Sequence, residues 1–184
     1  MLALLDVIKR KWRVAMDATL DFKDIDSKTK SLLETVFGDV ETIKLPIDLN
    51  RIADHFGLTI RQGTFQDEGI EGAFDRSTGT VFLSEEDSFE AKNFTLAHEI
   101  GHYKLHEELE KDIFTMHQLN DLLERRGKDV REDQADQFAA SLMMPKKLVL
   151  SLWDATSKDV EAIAKIFGVP TVVATFRLDA LNLI

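Results

Sequence analysis

The chain has 184 residues, with 23 Lys+Arg against 33 Asp+Glu, and its net charge of −10 argues against non-specific nucleic-acid binding, which needs a basic surface. It contains no cysteine, so disulfides and thiolate metal centres are excluded and any bound zinc must use histidines and carboxylates. Hydrophobic content of 44% and charged content of 30% are ordinary for a soluble globular protein, and no apolar run is long enough to span a membrane.

At the N-terminus, Leu5, Ile8, Trp12, Met16 and Leu20 fall at helical spacing and predict an amphipathic helix over residues 2–21. Its basic residues, Lys9, Arg10, Lys11 and Arg13, lie beside that stripe, and a packed helix with a solvated edge is preferred to a membrane-surface or nucleic-acid contact. The basic cluster follows the apolar stretch instead of preceding it, so the segment does not read as a signal peptide and a cytoplasmic protein is expected. A second helix is predicted from Ser27 to Phe37, with Asp26 as cap and Gly38 as stop.

Pro46, Pro145 and Pro170 each stand at or just before an apolar helical pattern, where a missing N–H costs least. Leu49, Ile52, Ala53 and Phe56 make a short helix stopped by Gly57, and the same cadence returns from Asp159 to Gly168. Leu58-Thr59-Ile60 predicts a strand, and Ile70 to Phe74 with Thr80 to Leu83 a hairpin turned at Asp75–Gly79. Ser88 is the candidate N-cap of the helix that follows.

That helix carries His98-Glu99-Ile100-Gly101-His102, a zinc-hydrolase signature. Residues four apart on a helix sit about 40° apart around the axis and roughly 6 Å along it, so His98 and His102 would aim two imidazoles at one point. Glu99, about 100° round from His98, is off that seam but within reach of a metal-bound water, whose pKa a zinc ion lowers toward ~7. A carboxylate there suits a general base. The plainer alternative is a chance pattern on an ordinary amphipathic helix. Gly101, costly in a helix interior, calls for close approach of a neighbouring backbone.

Thirty residues after His102, Glu132 and Asp136 open a second helical pattern, with apolar positions 135, 138, 139, 142 and 143. Four apart, both would face the first helix. Glu132 is the candidate third ligand and Asp136 the acceptor for the free N–H of one ligand histidine, leaving a fourth zinc position open. A solvated acidic face is the alternative. His106, at i+8 from His98, rises about 12 Å along the helix and cannot share the metal. His106 and Tyr103 are candidates to line the cleft and stabilise an oxyanion. His55 is expected at the surface, and His117 could reach the site only from the excursion over 107–131. That excursion is expected to hold a short helix around Leu119, Leu122 and Leu123 and to pack over the surface or form a lid. After Pro145 the pattern from 160 to 183 has a helix-turn-helix cadence, but only Arg177 is basic on its second helix, so an antiparallel helix pair closing the core is expected instead of a DNA reader.

The run from His98 through Tyr103-Lys104-Leu105-His106, followed by Glu132-x-x-Ala135-Asp136-x-Phe138-Ala139-Ala140-x-Leu142-Met143-Met144-Pro145, resembles the ImmA/IrrE family of metallopeptidases. The resemblance extends from about Pro46 to the C-terminus. One departure is Gln134-Ala135-Asp136, where that family more often has Glu-Ala-Asn; Asp136 keeps an acceptor, and Gln134 leaves Glu132 without a rival carboxylate. The fold expected is α+β, a compact zincin-like domain over 45–184 with a small, mostly antiparallel sheet packed on the motif helix. Residues 1–44 are expected to form an N-terminal helical segment. The resemblance implies Zn²⁺-dependent peptide hydrolysis by Glu99 at a metal held by His98, His102 and Glu132. It further implies a helix-turn-helix regulator as partner, in an anti-repressor, mobile-element, stress-response or toxin–antitoxin setting. A metal-dependent protein that displaces its regulator without cutting is the rival reading. The strand at 80–83 is the expected exposed edge along which a peptide would add.

Overall fold

The computed structural model describes residues 22–66, 70–106, 113–117, 122–127 and 129–184; the helix expected over 2–21 lies outside them. In chain order the elements are α1 (Phe22–Phe37), a 3-10 turn (Val40–Thr42), α2 (Leu49–His55), β1 (Thr59–Gly63), β2 (Ile70–Asp75) and β3 (Thr80–Ser84). There follow α3 (Phe89–Leu105), β4 (Ile113–His117), α4 (Leu122–Arg125), α5 (Val130–Met143), α6 (Lys146–Trp153), α7 (Val160–Phe167) and α8 (Thr171–Ala180). The α+β class is as expected.

The helices begin and end for local reasons. Ser88 accepts the Ala91 N–H at the start of α3, and Asp129 accepts the Arg131 N–H at the start of α5. Asp48 and Asp159 each accept two N–H groups, opening the two helices that share a cadence, and Gly57 and Gly168 follow them in the left-handed region at φ 67° and 63°. The two segments meet, for a Cβ on Gly168 would stand 2.7 Å from Pro46 Cγ.

Among the described residues the sheet has four strands in the order β1-β3-β2-β4. β1 pairs parallel with β3, and β2 pairs antiparallel with both β3 and β4. The strand expected as the exposed edge, 80–83, is therefore internal, with β1 on one side and β2 on the other. The physical reason is a parallel pairing between strands separated by the β2 excursion, which no local pattern announces. The edges are β1 and β4. β4 itself corrects the reading of residues 107–131: Ile113–His117 supplies a strand, and before α5 begins at Val130 the helix among the described residues there is Leu122–Arg125.

Val81, Leu83 and Phe74 on the inner face of the sheet pack on α3, whose Phe94, Leu96, Ala97 and Ile100 are buried. On its other side α3 crosses α5, where Phe138, Ala139, Ala140 and Leu142 are buried. Helix α1 covers α5 and starts five residues before the predicted Ser27. Asp26 is accordingly not a cap: its Oδ1 takes the Ser141 hydroxyl at 2.8 Å and the Arg177 guanidinium at 2.8 Å. Arg177 is 1% exposed and also donates from Nε to Met144 O, so the basic residue of α8 is part of the core and unavailable to a phosphate backbone. No helix among the described residues is long and apolar enough to cross a membrane.

Candidate metal centre

Helix α3 presents His98 and His102 on one seam, and α5 brings Glu132 to them. The crossing is close because residue 101 is glycine: a Cβ there would lie 3.2 Å from both Ala135 Cα and Ala135 O, and 3.3 Å from Phe138 Cβ. His98 Nε2 and His102 Nε2 are 3.0 Å apart, and Glu132 reaches them with Oε2 at 3.2 Å and Oε1 at 3.3 Å. Among the described residues these three side chains form a group able to hold a metal ion. A tetrahedral zinc site with bonds of about 2.0–2.1 Å has donor separations of about 3.3 Å, so the triad is already close to the required spacing.

His98, Glu99 and His102 are buried, whereas the Glu132 side chain is 34% exposed, so the cluster is open to solvent from the Glu132 side. His98 donates Nδ1–H to Asp136 Oδ1 at 2.8 Å, which leaves its Nε2 lone pair for a cation. Burial works against a charged His98, but the bonds to Asp136 and Glu132 outweigh it and push its pKa up to about 10. Burial pulls His102 down to about 4. Burial also opposes ionisation of Glu132, yet the imidazoles of His102 and His98 hold its carboxyl well below the usual range. One carboxylate and two imidazoles thus share a site where protons and a cation compete for the same lone pairs.

Glu99 is fully buried, and neither carboxylate oxygen has a hydrogen-bond partner. Burial pushes its pKa up to about 8, with His98 opposing the rise. A buried, unpaired carboxylate costs several kcal/mol if ionised, so it signals a partner the protein itself does not provide. A water at the metal would be such a partner, and the donor set and the orphaned Glu99 together fit a catalytic zinc site.

Tyr103 and His106, the candidates for lining the cleft, each make contacts of their own. Tyr103 packs against Phe56 and Phe74, with ring centroids 5.3 and 5.9 Å away, and the Arg76 guanidinium lies 5.7 Å from its own centroid. His106 is buried behind His102, Nδ1 to Nδ1 at 3.0 Å, and its Nε2 lies 3.0 Å from Gln134 Oε1. His55 is exposed against Phe56. The side chain of His117 lies outside the described ones. Sequence reasoning missed the His102–His106 pair, although an i, i+4 spacing equal to that of His98 and His102 was there to be read. It also missed Arg76, whose Nη2 donates to the carbonyls of His102 at 3.1 Å and His106 at 3.2 Å and so closes the C-terminal end of α3.

Comparison with known proteins bears on the same residues. The model of a peptidase family described as the IrrE N-terminal-like domain matches residues 53–179, most of the chain and all of the cluster. Metallopeptidase ImmA of Bacillus subtilis (strain 168) is 31% identical over 111 residues, which cover 59% of this chain and 61% of that protein. The match therefore spans about three fifths of the relative's length. A Mycobacterium tuberculosis transcriptional regulator of known structure superposes with a TM-score of 0.65 at 16% identity, covering 85% of this chain and 46% of that one, a likeness of fold.

Proposed function

Because this chain belongs to the peptidase family of the IrrE N-terminal-like domain, we propose that it is a zinc-dependent metallopeptidase that hydrolyses a peptide bond in a helix-turn-helix regulator. The observation that carries the reading is the buried Glu99 with two unpartnered oxygens beside the converging His98, His102 and Glu132. His98, His102 and Glu132 would hold the ion. Bound there, zinc would polarise the scissile carbonyl, lower the pKa of a water toward ~7 and draw Glu99 back into its carboxylate form. Glu99 accepts the proton of the attacking water and returns it to the leaving amine. Asp136 keeps the His98 ring in the tautomer that offers Nε2. Burial of His98 and Glu99 excludes competing water, and the exposed flank of Glu132 gives the substrate its approach.

A peptide in extended form adds to the free side of β4, an edge strand packed against α3. Residues 45–184 supply all of this chemistry, and α1 from the preceding segment covers α5, contributing Ile25 and Leu33 to the same core. A regulator as partner rests on the family resemblance and implies a cytoplasmic setting.

The test is incubation of the zinc-loaded protein with a purified helix-turn-helix regulator, with and without a chelator. Fragments that form only when zinc is present support the peptidase. A regulator that stays intact while its DNA is released supports displacement instead.

A further inference from the structure

Two ligand histidines share the site, and among the described residues the groups behind their Nδ1 atoms differ. His98 gives its Nδ1–H to Asp136. His102 meets another imidazole: its Nδ1 lies 3.0 Å from His106 Nδ1, and His106 Nε2 lies 3.0 Å from Gln134 Oε1.

Two ring nitrogens at that distance hold one hydrogen between them, and an amide oxygen only accepts. His106 therefore carries its hydrogen on Nε2, toward Gln134, and offers a lone pair at Nδ1. The shared hydrogen sits on His102 Nδ1, which leaves the His102 Nε2 lone pair facing Glu132 and His98. The opposite sense, with the Gln134 amide turned round, would place a hydrogen on His102 Nε2, at the point where the three donor atoms converge. Only one direction of the line gives a ligand.

Given the metal site proposed above, we infer that His106 and Gln134 are positioning residues that fix the tautomer and ring orientation of His102, as Asp136 does for His98. Their geometry is held from the backbone as well. The His106 N–H donates to His102 O at 3.1 Å, and Arg76 Nη2 bridges the carbonyls of both residues while its guanidinium lies over Phe74 and Tyr103. Gln134 takes part because it stands on α5 between Glu132 and Asp136, so one helix supplies a ligand and the supports of both histidines. A neutral imidazole polarises its donor less than a carboxylate does, so the His106 contact supports its histidine more weakly than the Asp136 contact does.

The test uses the zinc-loaded, ¹⁵N-labelled full chain and imidazole ¹H–¹⁵N correlation spectra. The expected result is His106 in the Nε2–H form and His102 protonated at Nδ1. Zinc affinity, measured by competition with a chromogenic chelator, should fall about tenfold in His106→Ala and Gln134→Leu, at the low end for such supports, and recover in Gln134→Glu, which keeps an acceptor. His106 in the Nδ1–H form, or wild-type affinity in both weakened variants, would overturn the inference. His98→Ala and Glu132→Ala separate the two levels. If they lose zinc while His106→Ala and Gln134→Leu hold it, only this inference falls; if they too hold zinc, the metal site falls with it.

Discussion

Gly101 of α3 faces the Ala135 backbone of α5 so closely that a Cβ on Gly101 would lie 3.2 Å from both the Cα and the carbonyl oxygen of Ala135. That contact sets how far Glu132 reaches toward the histidines. Gly101→Ala would gain about 1 kcal/mol of helix propensity and lose about 1–3 kcal/mol to overpacking, so a small net destabilisation is expected in urea unfolding. Zinc affinity should drop in the same variant, because α5 must move outward with Glu132. Wild-type affinity in chelator competition would show that the helix spacing does not set the site.

Asp136→Ala removes the acceptor of the His98 Nδ1–H and frees the ring to turn. The expected outcome is a folded protein whose zinc affinity is about 10–100-fold weaker. Unchanged affinity would reduce Asp136 to a carboxylate with no part in the site.

Zinc uptake should release protons at neutral pH. His98, raised to about 10, binds a proton there, and Glu99, raised to about 8, binds one for much of the time, whereas His102 at about 4 is neutral. Zinc takes the His98 lone pair and favours ionised Glu99, so calorimetry in buffers of different ionisation enthalpy should count about one to two protons released per zinc. The sign follows: affinity rises with pH through the neutral range, because the protons displaced by the metal become scarcer. A count of zero would mean that the ion does not bind at His98.

The Arg177–Asp26 pair ties α1 to α8 under the loop that starts α6, with Arg177 1% exposed. Asp26→Ala leaves that guanidinium buried and uncompensated. Since the Asp26 side chain is itself 27% exposed, the expected loss lies at or below the low end of the roughly 3–5 kcal/mol seen when a buried pair is broken. The double variant Asp26→Leu with Arg177→Met should recover part of it in urea unfolding. Full stability in Asp26→Ala would make α1 an accessory to the core.

Much of the site was legible because its parts are local. Two histidines four apart, a capping Ser88 and an apolar stripe define α3 within one stretch of chain, and the Glu132–Asp136 spacing defines the working face of α5. Gly101 even announced a close neighbour, which the crossing with Ala135 supplies. The parts that could not be read depend on partners far away in sequence. β4 exists as a strand through its pairing with β2, and 80–83 became internal through a parallel pairing with β1. Asp26 looked like a helix cap because its partners, Ser141 and Arg177, lie more than a hundred residues on. His106 was weighed against His98, two turns away, when its contact is with His102, one turn away.

The most direct measurement on the proposed chemistry compares the wild type with Glu99→Gln in three parallel assays: zinc content, capture of the regulator, and a cleavage time course. Gln is nearly isosteric with Glu and lies off the ligand seam, so zinc and regulator should both be retained. It cannot take a proton from water at neutral pH, and general-base catalysis is worth about 10²–10⁴-fold, so fragments should form at least about a hundred times more slowly. A Glu99→Gln protein that holds zinc and regulator and still cuts at the wild-type rate would contradict the role given to Glu99.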